Sequence, residues 1–413
     1  MPFTFDPVTV TVQIGFNSEP LDEPQSWTDV SDYVKTFDIS RGRQLELSSF
    51  NAAVATVVLD NSDDRFTPQN TAGPYYTKIK PAKRLRIGVN YDSTDYYIFE
   101  GFLETLPQFF GLSGAESLVE FTAIDFFSLM NKTTLLANSW QIGLQGFSNA
   151  GQTTRTAFEQ QQELSHLRIG RLLDSMGFPS SKRNLQTGRF EVQTQSTTSN
   201  VLSAVREVEF AEQGEAFFGR GSDGFDMIFR NAAYRQTVSS QATFGNGVGE
   251  LPFNDVKLTF DQARLVNQSS ITREGGTEQT WADAGSKSEF GSYTESHSGT
   301  LNITDTEALN IAKRRVTSFA QSDVRITSMV CSPQADTNLW VQVLGRELGD
   351  EITINLPTPA GNSYSSDVNI EGVQHTVDAI NNTWVWTVRT SPVSIDAWTL
   401  GTGALGSTTT LGF

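Results

Sequence analysis

The patterned part of the chain begins with PVTVTVQIGF, where Val8, Val10, Val12, Ile14 and Phe16 alternate with Thr, Thr, Gln and Gly. Strict period two describes a strand with one buried face. A polar loop, NSEPLDEPQ, leads to WTDVSDYVKTFDISRGR, and a second alternating strand runs through Ala53, Ala55, Val57 and Leu59. Strands are also predicted over 83–89, 96–103 and 117–122, separated by the turn-forming clusters NYDST and GLSGAES. Short strands with polar turns predict a sandwich or barrel.

The period changes after Asp125. IDFFSLMN reads as a short helix, and 137–160, rich in Gln, Asn, Gly and Thr, as an exposed connector. Ile169, Leu172, Leu173 and Met176 mark an amphipathic helix that Gly177 and Pro179 close. A second helix starts at the N-cap Asn200, buries Val201, Val205 and Val208, and ends at Gly214. FFGRGSDGFDMIFR predicts a hairpin turning at Ser222-Asp223-Gly224. Thr304 and Glu307 then form a capping box for a helix with Leu309, Ala312, Val316 and Phe319 inward. RITSMVCS, NLWVQVL, DEITINLP, VNIEGVQHTV and NTWVWTVRT read as strands.

The expected fold class is mainly β with an α+β middle. An N-terminal β-barrel spans 1–132, an α/β middle region 133–245, and an α+β segment leads into a second barrel over 246–413. The two ends share a style but no repeat.

Charge narrows the function. The chain of 413 residues has a net charge of -17, and residues 1–130 hold 18 acids against 9 bases. That balance argues against a protein that grips nucleic acid, whose phosphate contacts need Lys and Arg. No apolar run is long enough for a membrane span, and MPFTFDPVTV has no signal-peptide pattern, so no membrane insertion is expected. Cys331 is the only cysteine, which excludes a disulfide framework and a cysteine-based metal site.

Candidate chemistry is sparse. The histidines are His166, His297 and His375; the last alternates with Val373 and Val377 and reads as structural. There is no HExxH, GxSxG or Walker A motif, and GNGVGELP reads as a loop. The stretch LDNSDDRFTPQN brings Asp60, Asp63 and Asp64 together as weak metal candidates. Arg65 and Thr71 stand where an EF-hand needs Gly and Glu, so Asp60 and Asn61 are read as capping their own backbone in Asx-turns. No catalytic residue and no cofactor is assigned.

The segments WTDVSDYV, ISRGR, ATVVLDNSDDRFTPQN and GPYYTKIKPAKRLRI, between Trp27 and Ile87, resemble the N-terminal domain of tailed-phage minor tail proteins. These are tail-tip or baseplate hub proteins, as in siphoviruses of actinobacteria. RIGRLLDSMGFP, NVLSAV and EQGEAFF resemble their middle, and NQSSITREGG, LGDEITI, IEGVQHTV and WVWTVRTSP their last part.

The resemblance implies two tube-like β-barrel domains in one chain, a homotrimer with a pseudo-sixfold ring, and a place at the virion tail tip after assembly in the host cytoplasm. Implied partners are the hexameric tail-tube or distal tail protein, the tape-measure protein, and tip or fibre proteins. DNA would pass through the lumen without specific binding, beside acidic walls. Tyr75 and Tyr76 are expected to anchor the return of the Asp60 loop. No peptidoglycan-cleaving domain is expected after WTLGTG. An embedded cell-wall hydrolase, and a carbohydrate- or receptor-binding module using Trp27, Trp140 or Trp281, are the alternatives.

Overall fold

The structure, a computed structural model, describes residues 3–110, 117–135, 158–160, 162–197, 199–357 and 363–393. The expected connector therefore lies mostly outside the described residues.

The first part is built from β1 (Phe3–Phe5), β2 (Val8–Ile14), β3 (Thr28–Asp29), β4 (Val34–Gly42), β5 (Asn51–Asp60), β6 (Arg84–Tyr91), β7 (Thr94–Thr105), β8 (Gln108–Phe109) and β9 (Leu118–Ile124). Period two holds through β2, β5 and β9, whose inward residues include Val10, Val12, Ala55, Val57 and Phe121. Helix α1 (Phe126–Lys132) follows, N-capped by the Asp125 side chain.

The middle contains β10 (Phe158–Gln160), β11 (Glu163–Leu164), α2 (Ser165–Ser175), β12 (Arg183–Leu185), β13 (Glu191–Val192), β14 (Gln195–Thr197), α3 (Val201–Glu212), β15 (Glu215–Gly221), β16 (Gly224–Arg230) and α4 (Tyr234–Thr237). Asn200 caps α3 as expected, through Ser203 N. The left-handed residue that ends it is Gln213, at φ 53°, not Gly214. Gly214 is needed instead because a Cβ there would lie 2.5 Å from the Arg230 carbonyl oxygen. The β15–β16 hairpin turns at Ser222-Asp223 and enters β16 through Gly224 at φ 103°.

The last part runs β17 (Thr243–Phe244), β18 (Asp255–Thr259), β19 (Gln268–Arg273), β20 (Gln279–Ala282), α5 (Ala284–Phe290), β21 (Thr294–Thr300), α6 (Asp305–Phe319), β22 (Arg325–Cys331), α7 (Leu339–Gly345), β23 (Glu351–Pro357), β24 (Ser363–Asp378) and β25 (Thr383–Pro392). The capping box at Thr304 and Glu307 is present. The face it starts is turned from the expected one: Ala308, Ile311, Ala312 and Val316 are buried, while Leu309 and Phe319 are only partly so.

NLWVQVL is not a strand but helix α7. Leu339, Trp340, Val343 and Leu344 are buried at helical spacing, which a short apolar run also satisfies. Trp340 packs edge-on to Trp384, with ring centroids 5.2 Å apart, and belongs to the core of the first part.

The mainly β architecture stands, and its two tube-like ends are halves of one curled sheet. The 15-stranded sheet follows the order β1-β2-β6-β7-β9-β5-β4-β24-β25-β22-β18, with β3, β8, β17 and β23 paired beside this path. The halves join where β4 and β24 run antiparallel, from Thr36 opposite Asp378 to Gly42 opposite Gly372. Sheet β19–β21, backed by α6 through Ile271, Ala308 and Ala312, forms a separate small layer.

Candidate functional site

The three carboxylates of the Asp60 loop do not converge. Asp60 Oδ1 accepts from Ser62 N at 2.8 Å, and its Oδ2 pairs with Lys35 at 2.8 Å. The hydrogen bond from Lys35 holds its pKa down at about 2. Asp63 pairs with Arg65, whose hydrogen bond lowers its pKa as well. Asp64, at φ 60°, accepts from the Thr67 hydroxyl. Among the described residues no group of three or more His, Cys, Asp or Glu is placed to hold a metal ion.

The loop is a capped corner. Asn61 is buried, and its Oδ1 accepts from Phe66 N at 2.8 Å. Tyr75 anchors the return, stacked on Phe16 and Phe66 with centroids 4.4 and 5.5 Å away. Tyr76, the other expected anchor, is 42% exposed.

The remaining sequence candidates are also scattered. His375 is buried and accepts from Trp384 Nε1 at 3.3 Å; burial, helped by Arg41 and Arg220, pushes its pKa down to about 3. His166 Nδ1 accepts from Gly188 N at 3.1 Å, and the His297 ring lies tilted against Phe210 with centroids 4.4 Å apart. In the GNGVGELP loop Glu250 accepts from Gly247 N. Trp27 lies under Arg86 at 4.2 Å, Trp281 is 43% exposed beneath Lys313, and Trp140 lies outside the described residues.

What the fold does assemble is a broad polar face across the β4–β24 junction. Residues directly opposite in a ladder share a face, so the registers define rows. One row reads Glu120, Val58, Thr36, Asp378 and Thr383. The next reads Thr122, Thr56, Asp38, Thr376 and Val385. The third reads Ile124, Val54, Ser40, Gln374, Thr387 and Val330. All are exposed or half-buried, and the charges in these rows are three carboxylates with no Lys or Arg. Asp38 is held centrally: its Oδ2 accepts from Thr376 Oγ1 at 2.6 Å and Gln374 Nε2 at 3.0 Å.

No family model and no curated protein matches this sequence. Solved structures do. The tail protein from Neisseria meningitidis MC58 superposes with a TM-score of 0.57 at 8% identity, covering 93% of this chain and 96% of that one. The 43 kDa tail protein of prophage MuSo2 from Shewanella oneidensis gives 0.52 at 8% identity, over 93% and 96%. This chain has the fold of phage tail proteins. A chain of the Francisella PdpA-VgrG complex also aligns, with a TM-score of 0.50 at 7% identity, over 94% of this chain and 53% of that one.

Beneath the polar face, this tail-protein fold is locked by buried charges that sequence reading missed. Arg43 donates from Nε to Glu371 Oε2 at 2.6 Å and from Nη2 to Glu215 Oε1 at 2.9 Å. Arg235 closes the ring, donating to Glu215 Oε1 at 2.7 Å, Glu371 Oε1 at 2.5 Å and Glu371 Oε2 at 3.0 Å. Ser391 adds a hydrogen bond to Glu371. Burial alone would raise the Glu371 pKa, but Arg235 and Arg43 outweigh it and hold the group well below the carboxylate range. A second pair, Arg41 with Glu347 at 2.6 Å, lies alongside.

The four members of the ring come from the residue just after β4, the start of β15, α4 and β24, so the lock joins all three parts. Alternation along Phe37, Ile39, Arg41 and Arg43 does place both arginines on the buried side. Glu371 was hidden because the β24–β25 register shifts between Ile370 and Gly372, and such a bulge turns an extra residue out of alternation.

Proposed function

We propose that the chain is a structural tail-tip hub of a tailed phage, whose copies close into a ring joining the tail tube to the tip. The observation that carries this reading is the single sheet spanning both ends through β4 and β24, inside a tail-protein fold. A chain with two tube-like halves, 1–132 and 246–413, offers two tube equivalents. Three copies then match a hexameric tube, and closed cyclic symmetry limits the assembly.

In this arrangement the three-row polar face lines the bore. Its hydroxyls and amides are neutral, and Glu120, Asp38 and Asp378 repel phosphate, so DNA slides past without being held. The seam of buried charges keeps the two halves at a fixed angle, as a closed ring requires. The role needs no catalytic group; its partners are the tube or distal tail protein above and the tape-measure and tip or fibre proteins around the bore.

Electron cryomicroscopy of the native particle tests this reading. The expected result is three copies in a ring at the tail tip with Asp38 and Asp378 toward the channel. A peripheral position, or a copy number that closes no ring matched to six, overturns it.

A further inference from the structure

A cleft of about 180 Å³ opens where α3, α6, the turn after β4, the middle of β24 and the end of β25 meet. Its charged lining is almost fully paired. Arg43 and Arg235 are closed by Glu215 and Glu371, Glu46 pairs with Arg264, Glu209 with Arg206 at 2.5 Å, and Arg315 with Glu295 at 2.8 Å. Arg314, on α6, is the exception. Among the described residues its guanidinium has no hydrogen bond or ion pair, although it lines the cleft.

Arg314 also sits among like charges. The residue is exposed, yet burial around its guanidinium, with repulsion from Arg235 and Arg189, outweighs the attraction of Glu215 and lowers its pKa from the ordinary arginine value. Arg189 is exposed and likewise makes no side-chain ion pair among the described residues. In a chain of net charge -17, Arg314 is a cation of the cleft wall that no carboxylate engages by a hydrogen bond among the described residues.

We propose that the cleft is a docking site for one carboxylate of an acidic peptide segment from another chain, received by Arg314, with Arg189 outside the lining adding longer-range attraction. A planar guanidinium matches a carboxylate bidentately, which supplies direction as well as charge. Leu47, Phe210, Phe319 and Pro392 in the lining suit the methylene stem and backbone of such a segment. Charge complementarity to Arg314 points to an acidic segment of a partner protein as the occupant.

The test uses the full chain and hexaglutamate as probe, with inorganic phosphate and a single-stranded oligonucleotide in parallel titrations. Hexaglutamate is expected to bind, more weakly as salt rises. Arg314→Gln is expected to weaken binding about tenfold, the loss of a charge-assisted hydrogen bond, and Arg189→Gln to weaken it about two- to threefold through the longer-range term. Lys80→Gln, at an exposed site in another part of the chain, is expected to leave it unchanged. Both arginine substitutions are at exposed positions, and unfolding curves check that the fold is kept. Binding of hexaglutamate that ignores Arg314→Gln overturns the proposal, as does tighter, Arg314-dependent binding of phosphate or the oligonucleotide. None of these outcomes depends on the ring stoichiometry.

Discussion

Gly42 is the residue on which the join between the two sheet halves can be tested most directly. Its φ is 100°, and a Cβ placed there would lie 2.2 Å from the Glu371 carbonyl oxygen and 2.5 Å from Gly372 Cα. Both obstacles are backbone atoms of β24, which cannot rotate away as a side chain would. Gly42→Ala therefore meets two costs. Backbone strain contributes about 1–3 kcal/mol, and overpacking against a fixed neighbour about 1–3 kcal/mol more. The expected loss is roughly 2–6 kcal/mol, summed from those two effects.

Gly177 provides the comparison, because its φ is 71° and a Cβ there would meet nothing within 4 Å. Gly177→Ala should cost only the conformational part, about 1–2 kcal/mol. Urea unfolding of both variants gives the difference, and amide hydrogen exchange locates it. The Arg43 N–H, which donates to the Glu371 carbonyl at 2.8 Å, is expected to lose protection in Gly42→Ala alone. Equal destabilisation of the two variants, with Arg43 still protected, would refute the close-approach argument.

Two further outcomes follow from buried charge. Arg235→Met leaves Glu215 and Glu371 with Arg43 as their remaining ring cation; breaking a buried ion pair this way is expected to cost about 3–5 kcal/mol, and Arg235→Met combined with Glu371→Gln should recover part of it in urea unfolding. His375, neutral in the fold with its pKa pushed down to about 3 from the ordinary 6.5, makes stability fall as pH drops from about 6.5 toward 3, since only the unfolded chain takes up the proton there. That contribution reaches roughly 4 kcal/mol near pH 3, is absent above pH 6.5, and should vanish from the pH dependence of unfolding in His375→Gln.

Much of the fold was legible along the chain. Strands β2, β5, β9 and β25 follow directly from period two, because one half-buried face leaves the same mark on the sequence wherever the strand pairs. The caps at Asn200 and Thr304 are local, satisfied within a few residues, and so were readable too. The acid surplus, and the lack of an HExxH, GxSxG or Walker A pattern, are properties of the sequence itself.

Pairing was not legible. Alternation says which residues share a face but not which strand lies beside it, so the join of β4 to β24, more than 300 residues apart in sequence, appeared only in the folded chain. The same limit hid the ring of Arg43, Glu215, Arg235 and Glu371, whose members come from four elements, one of them displaced by a bulge. NLWVQVL was ambiguous for a different reason: seven residues fit either period, and the choice of helix was made by Trp340 and Leu344 filling the core of the first half. Local sequence determined the elements, since their signals are short-range hydrogen bonds and one-sided burial. Long-range packing decided how they join, which face spans both halves, and where the charges meet.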